Sequence, residues 1–218
     1  MPRAARVLIG NLCYHAINRG NAHARVFHDE GDYQNFVNLL EGACERIAMR
    51  VLAYCLMPNH FHLVVQPWSD GDLSRWMHWL LTSHVRRHHR RYETDGRVWQ
   101  GRFKALPIQA DDHLLTVMRY VERNPLRGGL VTRAEAWRWS SLRRSGKQAS
   151  FVADAPIQLP KDWLGFVNSP ESQTKLAELR RAVKADRPFG DATWGTAVAK
   201  DLGLRFTPGR RGRPPRIA

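Results

Sequence analysis

The sequence predicts an α+β fold: a split βαββαβ unit with an antiparallel sheet, plus one further helix. Three observations carry this. Short segments rich in strand formers alternate with longer ones whose apolar residues recur every three or four positions. Their order is strand, helix, strand, strand, helix, strand, helix. Only Pro58 and Asn59 separate the second and third strand segments, so these two read as a hairpin. Such an order buries its helices against a face of the sheet.

Residues 13–18 alternate well enough for the first strand and stop at Arg19-Gly20-Asn21, a turn signal. Residues 29–48 form the first helix, with Tyr33, Phe36, Val37, Leu40 and Cys44 on one stripe and acids in the first turn. RVLAYCLM (50–57) and HFHLVVQP (60–67) are the hairpin strands, ended by Pro67, Asp70 and Gly71. Asp72 is the expected cap of a long second helix built on Leu73, Trp76, Met77, Leu80 and Leu81. Its second half, HVRRHHRRY, is basic on nearly all sides. Asp95-Gly96 turns the chain, and 102–109 alternates as a fourth strand. Asp111 or Asp112 caps a third helix through Leu114, Leu115, Val117, Met118 and Val121, which stops at Asn124-Pro125. Helices are also expected over 172–185 and 193–202, whereas the last residues, TPGRRGRPPRIA, cannot build a core.

The charge balance points to a polyanion. Lys and Arg total 34 against 20 Asp and Glu, a formal net charge of +14. Of the basic residues 28 are Arg, whose planar fork suits phosphate and whose face can stack on bases. The excess is local: residues 75–104 hold 8 basic against 2 acidic side chains, and the last fourteen residues hold five Arg and no acid. A solvated basic face without a partner is the bland alternative. No apolar run approaches the roughly 18 residues of a membrane span. The N-terminus lacks a long apolar region with a cleavage site. Cys13, Cys44 and Cys55 suit neither a disulfide framework nor a Cys-based zinc site. A cytoplasmic, nucleoid-associated protein is therefore expected, with no membrane partner.

Two small constellations carry chemistry. His60 and His62, two apart on a strand, share one face and can converge on a divalent ion that polarises a phosphate. Two hydrogen-bonded or surface histidines are the other reading. Tyr120 and Asn124, four apart at the end of the third helix, also share a face. A phenol there can attack phosphorus and the carboxamide can complete a metal shell, but a tyrosine at the edge of a core has the same spacing.

Tyr14-His15 with Asn18-Arg19-Gly20-Asn21 resembles the opening motif of the REP-associated tyrosine transposases, in the bacterial single-tyrosine HUH transposase superfamily. Four further blocks resemble theirs in the same order: Ala53 to Val64 around His60-Phe61-His62, Trp99 to Lys104, Arg119 to Val131, and Trp137 to Leu142. The resemblance spans roughly residues 10–145 and implies a ferredoxin-like sheet whose extra helix carries the nucleophile. It implies a metal-dependent single-stranded DNA endonuclease and strand transferase that acts beside DNA hairpins. The reaction would pass through a covalent 5′-phosphotyrosine. His60, His62 and Asn124 would hold Mg²⁺ or Mn²⁺, and Tyr120 would be the nucleophile. A hairpin-binding regulator without catalysis and a nuclease that uses water are the alternatives.

Arg19, Arg86, Arg87, Arg90, Arg91, Arg97, Arg102, Lys104 and Arg127 are candidates for phosphate contacts. Arg210, Arg211 and Arg213, around Gly212-Arg213-Pro214, resemble a minor-groove hook. Trp99 is a candidate for stacking on unpaired bases, whereas Trp137 and Trp139 suit core packing better. The expected organisation is a nuclease domain over 1–150, a small helical extension over 151–205 and a flexible basic tail over 206–218, in a monomer or homodimer.

Overall fold

The computed structural model describes residues 7–142 and 151–203. Four strands, β1 (Cys13–Arg19), β2 (Met49–Met57), β3 (His60–Pro67) and β4 (Lys104–Ile108), form one sheet in the order β2-β3-β1-β4. Every neighbouring pair is antiparallel. This is the split βαββαβ arrangement, with α1 (Glu30–Arg46) following β1 and α2 (Asp72–Tyr92) following β3. The fourth strand is shorter than its alternation suggested, because pairing stops where Lys104 meets Ile17 near the end of β1.

Strand alternation sends residues to two different cores. Tyr14, Ala16, Tyr54, Leu56, Phe61, Leu63 and Val65 pack on one face with Phe36 and Leu40 of α1 and Trp76, Met77 and Leu80 of α2. On the other face Cys13, Ala53, Cys55, Met57, Val64 and Ile108 meet α3 (Asp112–Glu122) through Leu114, Val117, Met118 and Val121. The sheet is thus covered on both sides, which explains why β2 is almost continuously apolar. No described helix is long and apolar enough to cross a membrane.

Local signals set the helix starts. The Asp29 carboxylate accepts from the Asp32 amide, and that of Asp111 accepts from the His113 amide at 2.8 Å. At α2 the expectation is corrected. The cap position is Gly71 with φ of 77°, a left-handed conformation that glycine adopts at no steric cost, and Asp72 already lies in the first turn. The Asp72 carboxylate instead accepts from the backbone amide of Ser69 at 2.9 Å. The two helices are joined at their far ends, where Arg91 pairs with Asp29 and Asp32 and the Tyr92 hydroxyl donates to Asp32 at 2.6 Å.

Trp99 is a core residue, which corrects its assignment as a base-stacking platform. It is 5% exposed, and its ring lies against Phe61 and His84, each with centroids 5.2 Å apart. The Gly20–Trp99 bridge draws this segment back over the end of β1 and turns the indole inward.

His84 sits in the same aromatic cluster, buried, with Nδ1 lacking a hydrogen-bond partner. Burial, reinforced by the neighbouring charge of His88, pushes its pKa down to about 3. The unfolded chain therefore takes up a proton near pH 6.5 that the folded chain refuses. The contribution of His84 is intact above that pH and is lost progressively as the pH falls toward 3. Between pH 6.5 and 5 this group costs about 2 kcal/mol. Urea unfolding of His84→Gln, which keeps a polar amide but takes no proton, should show an acid dependence flatter by that amount.

After α3 a short turn of helix, α4 (Asn124–Arg127), continues the chain. Residues 151–203 add α5 (Trp163–Asn168), α6 (Gln173–Ala185) and α7 (Ala192–Asp201). Val167 and Leu179 complete the core on the α3 side of the sheet. Val152 bridges to Val51 at one edge of the sheet and Phe189 to Ile108 at the other.

Candidate active site

The β3 alternation that buries Phe61 and Leu63 under α1 and α2 turns His60 and His62 to the α3 face. His62 stands between Cys55 of β2 and Ile17 of β1, and His60 between Met57 and Arg19. Their ring centroids are 4.9 Å apart and nearly perpendicular. The α3 stripe fixes that helix across the sheet and leaves Tyr120 at its margin, half-buried. The tyrosine ring stands edge-on to His62 with centroids 5.7 Å apart. The structure thus brings His60, His62 and Tyr120 together from β3 and α3.

A third histidine joins them. His15, on β1 two strand positions diagonal to His62, places Nε2 2.9 Å from His62 Nδ1. Its ring lies 6.0 Å from that of Tyr120. His60 Nδ1 is likewise engaged, 2.7 Å from Asn59 Oδ1. Both imidazoles of the pair therefore use Nδ1 for a neighbour and have Nε2 for a ligand, the usual division in a metal-binding histidine. Burial drives His62 well below the usual histidine range, with His15 and His60 adding to it. Burial and then Arg19 push His60 down to about 4. Burial alone brings His15 to about 3. All three are neutral near pH 7, the state with a lone pair to offer.

Asn124 follows Tyr120 past a break at Arg123, where α3 gives way to α4 because Pro125 has no amide hydrogen. It is 8% exposed, and its Nδ2 has no hydrogen-bond partner. Among the described residues no group of three or more His, Cys, Asp or Glu side chains is placed to hold a metal ion. The nitrogens of His15 and His62 face each other instead of a common centre. With Nδ1 of both His60 and His62 engaged, their Nε2 atoms suit a divalent ion whose remaining positions are filled by oxygen, for which Asn124 can offer only its carboxamide Oδ1, since its unpartnered Nδ2 is a donor.

The remaining candidates are scattered. Arg19 is exposed at the end of β1, beside His60. Arg86, Arg87 and Arg90 are exposed on α2, which covers the opposite face of the sheet. Arg97 and Arg102 are exposed on the connection to β4, and the Lys104 ammonium donates to the Val183 carbonyl at 3.1 Å. Arg91 is neutralised by Asp29 and Asp32, so the track on α2 narrows to three arginines. Arg127 is also corrected: its guanidinium lies over the Tyr120 ring, 4.0 Å from the centroid, and pairs with Glu171 at 2.6 Å. Arg210, Arg211 and Arg213 lie outside the described residues.

Glu122, the last residue of α3, is fully buried and accepts from Ser141 Oγ and Trp163 Nε1, each at 2.6 Å. It ties α3 to the segment beside β2 and to α5. Trp163→Phe leaves one carboxylate oxygen without that donor, and chemical denaturation should show a loss of about 1–3 kcal/mol. His15, Glu122 and Glu171 were not singled out from the sequence. Only the first two carried a local signal, by lying inside motif blocks.

A family model described as "Transposase IS200 like" matches residues 9–124, more than half of the chain. A protein of Haemophilus influenzae described as a REP-associated tyrosine transposase is 28% identical over 146 residues, covering 62% of this chain and 78% of that relative. A solved REP-associated tyrosine transposase bound to a REP hairpin superposes with a TM-score of 0.53. That match has 16% identity and covers 72% of this chain and 94% of the other, a likeness of fold.

Proposed function

Since the chain belongs to the IS200-like transposases, a family of enzymes that cleave DNA by transesterification, we propose that it cuts and rejoins single-stranded DNA beside hairpins of the repetitive extragenic palindrome type. The observation that carries this reading is the placement of Tyr120 edge-on to His62, with His60 adjacent. Tyr120 Oη attacks phosphorus as the bond to the 3′ oxygen breaks. A 5′-phosphotyrosine forms, and the phenolic proton is balanced by the one gained by the released 3′-hydroxyl. One phosphodiester replaces another, so a 3′-hydroxyl can reverse the step and join strands.

His60 and His62, with Asn124, hold Mg²⁺ or Mn²⁺ in this reading. When bound, the ion offsets negative charge developing on the scissile phosphate. His15 and Asn59 keep the two imidazoles turned with Nε2 outward. Arg19 is placed to meet a phosphate entering beside His60. Arg86, Arg87, Arg90, Arg97 and Arg102 are exposed cations suited to the duplex part of a hairpin. We assign the nuclease domain to residues 1–150, a helical extension to 151–205 and a basic tail to 206–218.

The direct test uses end-labelled single strands carrying a hairpin and its flanks, incubated with Mn²⁺ or Mg²⁺ and resolved on denaturing gels. A slower protein–DNA band that does not form when chelator is present from the start is expected. Cleavage without that band would replace this reading by a nuclease that uses water. Binding without cleavage, across several hairpins and both metals, would leave a hairpin-binding protein.

A further inference from the structure

Three arginines at four-residue spacing, Arg119, Arg123 and Arg127, run along α3 and α4. All of them reach the segment that joins α5 to α6. Arg119 donates to the carbonyls of Ser169 and Pro170, at 2.6 and 2.9 Å, and lies over the Phe166 ring. Arg123 donates to the carbonyls of Val167 and Asn168, at 2.8 and 2.6 Å, and also faces Glu171. Arg127 donates through Nη1 to Glu171 and through Nη2 to the carbonyl of Tyr120 at 2.8 Å.

The last of these contacts reaches the nucleophile. A guanidinium is planar, and that of Arg127 is held by two different acceptors while its face covers the Tyr120 ring. The Arg127 and Glu171 side chains are only 17% and 13% exposed, so water screens their pairing weakly. Fixing the plane of Arg127 fixes one wall of the space in which the Tyr120 ring can turn. The ring also makes T-shaped contacts with the imidazoles of His15 and His62. The phenol ring is thus in contact both with a cation supplied by α4 and with imidazoles of the sheet. The orientation of that cation is set from the extension.

We propose that Arg127 and Glu171 are positioning residues for Tyr120, so that the segment 166–171 belongs to the catalytic unit. This rests on the reading of Tyr120 as the nucleophile. An arginine that contacts DNA phosphate contributes to affinity and to its salt dependence, and lysine substitutes for much of that. A positioning arginine contributes to the rate of attack, and lysine, a point charge without a planar fork, does not replace it.

The test compares the full chain with Glu171→Gln, Glu171→Asp, Arg127→Lys and Tyr120→Phe. Two readouts are taken on each. The first is the single-turnover rate of covalent adduct formation at saturating hairpin DNA, set against the Kd for the same DNA without metal. The second needs no DNA: carbon NMR of protein labelled at the tyrosine ζ position, where the Tyr120 resonance is the one absent from Tyr120→Phe. Glu171→Gln and Arg127→Lys should shift that resonance, leave the other four tyrosines in place, and slow adduct formation about 10-fold or more. DNA affinity should stay within about twofold, and Glu171→Asp should recover part of the rate. An unmoved Tyr120 resonance with a native rate in both variants overturns the proposal. Faster adduct formation also overturns it, since the segment would then hold the site shut. An adduct that persists in Tyr120→Phe removes the nucleophile assignment itself, whatever the NMR of the other variants shows.

Discussion

Tyr120→Phe should eliminate the covalent protein–DNA band while hairpin binding stays within about twofold. The substitution removes one oxygen and leaves a ring that can still contact Arg127, His15 and His62. Packing and surface charge are therefore preserved, and the lost property is the phenolic oxygen proposed to attack phosphorus. No other hydroxyl among the described tyrosines is placed to substitute. Tyr14 is buried on the opposite face of the sheet with its hydroxyl bonded to the Ile9 backbone, and Tyr92 donates to Asp32. The expected fall in adduct formation is on the order of a thousandfold or more. The gel assay reads it directly, with thermal unfolding as the control for folding. Cleavage that continues at a comparable rate without an adduct would assign the attack to water.

His62→Ala should be nearly as severe, but through a different loss. His62 is 5% exposed and central: it contacts His15, His60 and Tyr120. Removing it takes away one of the two imidazole donors and leaves His15 Nε2 facing a cavity. Adduct formation should fall about 10²- to 10³-fold, the scale of losing charge stabilisation worth several kcal/mol. Mn²⁺ binding, followed by isothermal titration on the full chain, should fall in parallel, and chelator should reproduce the effect in the native protein. Because burial holds His62 below the usual range and His60 near pH 4, the ligand form of both is present throughout neutral and mildly acid solution. Metal binding should therefore weaken only as the pH falls well below 6.5, where an exposed histidine would already have begun to lose it. Unchanged Mn²⁺ affinity in His62→Ala would remove His62 from the metal site.

Much of this site is written in local periodicity. Two histidines at strand spacing share a face whatever the rest of the chain does. The stripe Leu114, Val117, Met118 and Val121 likewise commits α3 to a sheet before the sheet is known. What stayed hidden depends on register and on distant chain. His15 meets His62 only because β1 and β3 pair with His15 opposite Val64, a fact of alignment that no single strand displays. Trp99 sits among Arg97, Gln100 and Arg102 and so looks like a surface residue. One backbone bridge to Gly20 is enough to turn it into the core. Arg127 reads as a phosphate ligand until Glu171, 44 positions later, is found against it. Asp72 shows the same effect on a smaller scale, since a left-handed Gly71 moves the helix boundary by one residue.

The two bridges made by residues 151–203 also bear on how the protein avoids its own kind. β2 and β4 are the outer strands of the sheet, each with a row of backbone groups available to any extended chain. The Ala153 amide donates to Val51 at 2.8 Å, and the Leu56 amide donates to Trp139 at 2.9 Å, so β2 is occupied along both halves. On the far side Phe189 exchanges bonds with Pro107 and Gln109, next to a proline that has no donor to give. A chain cut at residue 150 would keep every strand, both histidines and Tyr120, yet bare the β4 edge and half of β2. Such a fragment is set to stack into aggregates through its sheet. A soluble unit for crystallography or engineering therefore has to run through Phe189.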